Sequence, residues 1–166
     1  PTPPARLLLL DTASLYFRAF FGMKDLRAAP DGTPTNAVRG LLDMVATLTT
    51  RFSPTHLVCC WDDDWRPDFR VRAIPSYKAH RLVEGSQEKE QAPPELEVQV
   101  PILRRALEAF GLPVLGVPGY EADDVIGTLT ARHHGRMPVD IVTGDRDLFQ
   151  LVDDEAQVRG IYTAKA

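Results

Sequence analysis

Apolar residues in this chain first fall into short unbroken runs. Arg6–Leu10 reads RLLLL and ends at Asp11, and Thr55–Trp61 reads THLVCCW and ends at Asp62. Runs of that length without polar alternation predict strands buried on both faces of a parallel sheet. Val114–Val117, Val139–Val142 and Val158–Tyr162 are three more such strands. Between them, apolar positions recur at helical spacing over Thr12–Phe21, Asn36–Arg51, roughly Glu95–Phe110 and Glu121–His134, with a short helical pattern at Arg146–Val152. Strand and helix alternate, so the expected fold class is α/β: a mostly parallel central sheet with helices on both faces.

Punctuation supports that division. Thr35 is placed to cap the second helix, Gly111 follows the third, and Pro113 prevents its continuation. Pro101 lies inside the third helical pattern, which predicts a kink there or a helix restarting at that point. No internal repeat is visible. Asp62–Pro94 stands apart from the alternation. Arg66–Arg81 holds five basic residues and one acidic residue, Asp68, and is followed by the polar, turn-rich LVEGSQEKEQAPP. A stretch this long without apolar periodicity is a functional insertion or a solvated surface loop.

Composition narrows the class. A chain of 166 residues, 44% hydrophobic and 25% charged, suits one globular domain over residues 1–166 and excludes wholesale disorder and a collagen-like repeat. No run approaches the ~20 apolar residues that span a bilayer, and Pro1–Arg6 lacks the pattern of a secretory leader. The expectation is a cytosolic protein. Cys59 and Cys60 are adjacent in a strand, where neighbouring side chains point to opposite faces, and are expected to be reduced core thiols. The net charge of −4 argues at first against a nucleic-acid partner.

The placement of the acids reverses that argument. Asp11 ends the first strand, Asp62 the second, and Asp145 with Asp147 follows VDIVTG. In a parallel sheet these positions face one rim, outside the carboxyl ends of the strands. Glu121, Asp123 and Asp124 in GYEADDVIG begin a helix, where an acid also serves as a cap. Seven carboxylates on one rim repel unless protonated or neutralised by a multivalent cation. Hard oxygen donors, with His56, His80, His133 and His134 all outside the clusters, favour Mg²⁺ or Mn²⁺ over zinc. Two such ions ~4 Å apart suit phosphodiester hydrolysis, and a neighbouring cationic side chain would stabilise charge developing on the phosphate.

LLLLDTASLYFRAFFGM, DGTPTNAVRGLLDM, PTHLVCCWD, FRVRAIPSYKAHR, GLPVLGVPGYEADDVIGTL and IVTGDRDLFQLV occur in that order and cover nearly the whole chain. In these segments the chain resembles the bacterial 5' nucleases, the family of the 5'→3' exonuclease domain of DNA polymerase I and its stand-alone relatives, related to flap endonucleases. The resemblance implies a PIN-like core and cleavage of DNA 5' ends and flaps in replication and repair. It implies an acidic metal site at Asp11, Asp62, Glu121, Asp123, Asp124, Asp145 and Asp147, holding two or more Mg²⁺ or Mn²⁺ ions. Glu121, Asp123 and Asp145 are the expected direct ligands, while Asp11 and Asp62 are expected to hold bound water.

The same resemblance implies a helical arch over about residues 66–93, through which a single-stranded 5' end passes and which orders on binding DNA. Lys78 and Arg81 are its expected phosphate-facing, catalytic cations, acting with Asp145. Arg18 is an expected nucleic-acid contact, and Arg70 and Arg72 are expected either to contact the DNA backbone or to lie on a solvated face. Phe17 is expected either to stack on a base or to pack in the core, and Tyr77 to contact DNA or to pack within the arch. The implied partners are DNA with a 5' single-stranded end, DNA polymerase and ligase; the expected state is a monomer in the bacterial cytoplasm. The family's helix-hairpin-helix module has no counterpart in this sequence, which keeps a catalytically impaired DNA-binding module open, and a PIN-type ribonuclease is the rival enzyme. Setting the seven rim acids aside leaves fewer acids than the 19 basic residues. The chain's acidity is therefore concentrated where cations are needed.

Overall fold

Four consecutive leucines can satisfy only an environment that is apolar on both sides. Leu7–Asp11 forms β1, buried along its whole length, with Leu8 and Leu10 facing one core and Leu7 and Leu9 the other. The computed structural model describes residues 4–23 and 25–163. Numbered in chain order, the strands are β1, β2 (His56–Cys60), β3 (Val114–Leu115), β4 (Val139–Thr143) and β5 (Val158–Tyr162). The α-helices are α1 (Thr12–Gly22), α2 (Asn36–Phe52), α3 (Asp68–Ala73), α4 (Pro94–Glu97), α5 (Val100–Ala109) and α6 (Ala122–His133).

All five strands pair in parallel, in the order β3-β2-β1-β4-β5. From β1 the chain steps outward to β2 and β3, then returns to the other side of β1 for β4 and β5. The order reverses between β1 and β4, and at such a switch point the connections leave in opposite directions and open a crevice at the carboxyl ends. On the Leu8–Leu10 face, α1, α2, α4 and α5 contribute Leu15, Leu41, Leu96, Leu103 and Leu107. On the other face, α6 and a 3-10 helix at Arg146–Leu151 contribute Val125, Ile126 and Leu148. Cys59 and Cys60 lie in the two opposite cores as free, buried thiols.

Three local features differ in detail from the sequence pattern. The third helical pattern breaks into α4 and α5, with Pro101 in the first turn of α5, where its missing N–H costs no hydrogen bond. The break frees Gln99, which is wholly buried: its Oε1 accepts from the backbone N–H of Ala37 (2.8 Å) and Val38 (3.3 Å), and its amide donates to Asn36 Oδ1 (2.8 Å). Gln99, not Thr35, thus caps α2, since the Thr35 hydroxyl turns to the carbonyl of Arg27. β3 shortens to two residues before Gly116, whose backbone lies so close to Asp63 that a Cβ there would sit 2.5 Å from Oδ1.

The basic insertion is folded. It carries α3 and a 3-10 turn at Ala79–Arg81, and Leu82 bridges Glu90 in antiparallel fashion. Arg66 braces it from within, donating through Nε to the carbonyl of Tyr77 (2.7 Å) and through NH2 to that of Pro75 (3.1 Å). Trp65 donates its indole N–H to the carbonyl of Glu88 (3.0 Å). Side-chain-to-backbone bonds of this kind brace a segment whose helical turns bury no side chain.

Candidate metal and phosphate site

A cavity of about 540 Å³ opens at the carboxyl ends of β1, β2 and β4. Asp11, Asp62, Glu121, Asp123 and Asp145 line it on the sheet side, Lys78, Arg81 and Glu90 on the insertion side, and Phe17 and Trp65 along its wall. Each acid is held by local structure. Asp11 is the N-cap of α1, with Oδ1 facing the Ser14 N–H at 3.4 Å. Asp62 accepts the N–H of Ala122 at 2.7 Å, occupying one of the orphan donors that begin α6. Glu121 and Asp124 form a reciprocal capping box at the same terminus. Asp145 caps the Arg146–Leu151 turn by accepting from the Asp147 N–H at 2.9 Å.

The two ends of the sheet treat acids in opposite ways. Asp140, near the amino end of β4, is completely buried and clamped by Arg6 at 3.0 Å and Arg159 at 2.8 Å. At the carboxyl end, Asp11, Asp62, Asp123 and Asp145 have no ion-pair partner among the described residues. Burial pushes Asp11 up to about 6, opposed by a hydrogen bond from Thr143 and reinforced by the charges of Asp62 and Asp145. Burial and then the charges of Asp11, Asp145, Glu121 and Asp62 push Asp123 up to about 7. Asp62 is raised as well, chiefly by burial. Uncompensated oxygen donors under mutual repulsion fit a hard divalent cation, and no Cys or His lines the cavity. Among the described residues, no three of these side chains already enclose a point where an ion would sit.

Donors from the insertion converge on Glu121, which is 1% exposed. Its Oε1 accepts from the Tyr77 hydroxyl at 2.6 Å and from Arg70 at 3.2 Å, and its Oε2 pairs with the Lys78 ammonium. Lys78 also donates to the carbonyl of Trp65 (3.0 Å) and adopts a left-handed backbone conformation, φ +49°, which a non-glycine residue takes only under local constraint. Arg81 lies 3.8 Å from Glu90.

The remaining sequence candidates are placed differently. Asp124 lies outside the cavity, bonded twice to Arg70 at 2.8 Å; burial would raise its carboxyl, but Arg70 and the Glu121 N–H hold it below the ordinary value. Asp147 is exposed and lines an adjacent polar cavity with Arg70, Tyr77, Asp123 and Asp124. Arg70 is thus spent on protein carboxylates, and the exposed Arg72 lies 3.9 Å from Asp68, one helical turn away. Neither lines the cavity that holds Asp11, Asp62 and Asp145. Arg18 donates to the carbonyl of Thr163 beyond the end of β5. Phe17 is half-buried, with its ring 5.3 Å from that of Tyr16 and also on the cavity wall, so it serves both packing and the cavity.

Sequence reading missed Glu90, Trp65, Ser14 and Thr143. Glu90 lies in the part of the insertion without periodicity, and the others carry no charge. Thr143 donates to Asp11 Oδ2 at 2.7 Å, and Ser14 accepts from the Gly144 N–H at 2.7 Å.

A doubly wound parallel sheet with an acid-lined crevice at its switch point, faced by cations from a braced insertion, defines a class of α/β domains whose working surface is that crevice. The particular family follows from comparison with known proteins. A family model described as "5'-3' exonuclease, N-terminal resolvase-like domain" matches residues 6–165, and the chain belongs to that family. It is 59% identical over 161 residues to a 5'-3' exonuclease of Streptomyces coelicolor, covering 95% of this chain and 53% of that protein. It is 51% identical over 164 residues to a 5'-3' exonuclease of Mycobacterium tuberculosis, covering 96% and 51%. A DNA polymerase I of Bacillus caldotenax matches at 38% over 154 residues, 92% of this chain and 16% of the polymerase. The chain therefore spans about half the length of the stand-alone relatives it matches. Among solved structures, T5 5'-exonuclease with bound divalent metal ions superposes with a TM-score of 0.69 at 22% identity, over 93% of this chain and 54% of that one. At that identity the likeness concerns the fold.

Proposed function

We propose that this chain carries the catalytic core of a divalent-metal-dependent 5' nuclease, which hydrolyses phosphodiester bonds at DNA 5' ends and flaps. The observation that carries the reading is one cavity in which five uncompensated or shared carboxylates face Lys78 and Arg81, in a chain of the 5'-3' exonuclease family. The substrate is DNA with a single-stranded 5' end, and the reaction belongs beside polymerase and ligase steps, since one relative is a DNA polymerase I.

Glu121, Asp123 and Asp145 would hold Mg²⁺ or Mn²⁺ directly, with Asp11 and Asp62 acting through water. When bound, such ions supply a hydroxide nucleophile at neutral pH and neutralise charge on the phosphate. The chain's own residues do the rest. Lys78 and Arg81 bring positive charge to a phosphate seated between the sheet rim and the insertion, where cations already in place offset charge that develops on it. Phe17 and Trp65 offer ring surface along the wall for a base to stack on. Lys78 neutralises Glu121 alone, so a cation held by that carboxylate would have to compete with the ammonium.

The test is cleavage of a 5'-flapped duplex in Mg²⁺ or Mn²⁺, with EDTA and single-stranded RNA as controls. Cleavage of the flap that is lost in Asp145→Asn, with folding intact, is the expected result. Cleavage of RNA alone would replace this reading with a PIN-type ribonuclease, and binding without cleavage would replace it with a DNA-binding module. The reading places the protein in the cytoplasm as a monomer; among the described residues no helix is long and apolar enough to cross a membrane.

A further inference from the structure

Thr143 ends β4 with 1% of its surface exposed, between the acids of two different strands. Its hydroxyl donates to Asp11 Oδ2 at 2.7 Å and accepts the backbone N–H of Asp145 at 2.9 Å. The direction of both bonds is forced. A backbone N–H can only donate, so the hydroxyl oxygen must receive it, and the single hydroxyl hydrogen is left for the carboxylate. One side chain therefore sets the rotation of the Asp11 carboxylate on β1 and the point at which the chain turns out of β4 towards Asp145. It does so at the sheet's switch point, where β1 and β4 are neighbours.

The surrounding contacts make the hydroxyl hard to replace. The Thr143 carbonyl accepts from the Thr163 N–H at 2.9 Å, and the next residue, Gly144, donates its N–H to Ser14 on α1. A Cβ at Gly144 would lie 2.7 Å from Ser14 Oγ, so the turn is pressed against α1 with no room for a bulkier route. Asp145 Oδ1 is turned back onto the Asp147 N–H, leaving its other oxygen for the cavity. Threonine suits this position because branching at Cβ restricts χ1 in a strand, which holds the oxygen on line with both partners.

We propose that Thr143 is a positioning residue of the ion site, fixing the relative placement of Asp11 and Asp145 so that both can serve the same ion cluster. The proposal rests on reading the rim as a divalent-cation site. Residues that orient metal-ligating carboxylates typically change metal affinity 10–100-fold when removed.

The experiment titrates the 166-residue protein and its variants Thr143→Val, Thr143→Ser, Thr143→Ala and Asp145→Asn with Mn²⁺, following free Mn²⁺ by electron paramagnetic resonance, with circular dichroism as the folding check. Valine keeps the shape and the branching but loses the hydroxyl, and its expected effect is at least about tenfold weaker Mn²⁺ binding. Serine keeps the hydroxyl and is expected within about threefold of wild type. Alanine stands in for valine if that variant does not fold. Wild-type affinity in Thr143→Val, or equal losses in the serine and valine variants, overturns the proposal while the ion site itself stands. Unchanged Mn²⁺ binding in Asp145→Asn would bring down the cation-site reading, and this proposal with it.

Discussion

Burial and four neighbouring acids disfavour the charged form of Asp123 in the metal-free protein, so replacing it should stabilise the fold while harming function. Its carboxyl rises accordingly from 3.8 to about 7. A rise of about three pH units corresponds to roughly 4 kcal/mol at neutral pH. That is an upper limit, since neighbours relax and part of the repulsion is shared, so Asp123→Asn in EDTA should gain about 1–3 kcal/mol at pH 7.5. The sign follows from linkage. A carboxyl whose folded value is raised binds its proton more tightly when folded, so its penalty is full above the folded value and fades as pH falls towards the unfolded value. Metal-free wild type should therefore become more stable between pH 7.5 and 5.5, with Asp11, raised to about 6, contributing to the lower part of that window. Acids with depressed values, Asp124 and Asp153, act the other way, but only below about pH 4. Urea unfolding in EDTA from pH 5.5 to 8, repeated with Mn²⁺, reads all of this. Added Mn²⁺ should stabilise wild type most at high pH and stabilise Asp123→Asn far less. A wild-type midpoint in EDTA that is flat or falls towards pH 5.5 would refute the reasoning.

Three further outcomes test the other contacts. Lys78→Ala should slow single-turnover flap cleavage by about a hundredfold with little loss of DNA binding, while its Mn²⁺ affinity rises because Glu121 loses a competing cation; quench-flow kinetics and an Mn²⁺ titration check both. Arg70→Met strands Asp124, and leaves Glu121 one donor short, so it should destabilise the protein by about 1–3 kcal/mol in urea unfolding. Gly40→Ala would place a Cβ 2.8 Å from that of Ala19 and force α1 and α2 apart, costing about 1–3 kcal/mol, with Ala19→Gly restoring part of the loss in a double-mutant cycle.

The strand runs were legible because a strand buried on both faces has almost no choice of residue. Arg6–Leu10 and Val139–Val142 lie within one residue of β1 and β4. The break between α4 and α5 was visible as Pro101, yet the use of the break was not: Gln99 reaches Ala37 across 62 residues of sequence. The acids at strand ends were legible for a related reason, since a charge directly after a buried run must emerge at the sheet's rim. The sorting among them was not. Asp123 and Asp124 are adjacent in sequence, but successive residues on a helix point about 100° apart, and one faces the cavity while the other meets Arg70. Arg70 pairs with Glu121 and Asp124, and a lone sequence shows its charge but hides those partners.

From the sequence alone came the alternation of elements, the two cores, the family and the ring of candidate acids, since each is written in local runs and short spacings. Tertiary structure decided which acids remain unpaired, that Glu121 gathers three donors from the insertion, and that an uncharged threonine joins Asp11 to Asp145. Those outcomes depend on which residues the strand order brings together at the β1–β4 switch point, and that order is a property of the folded sheet.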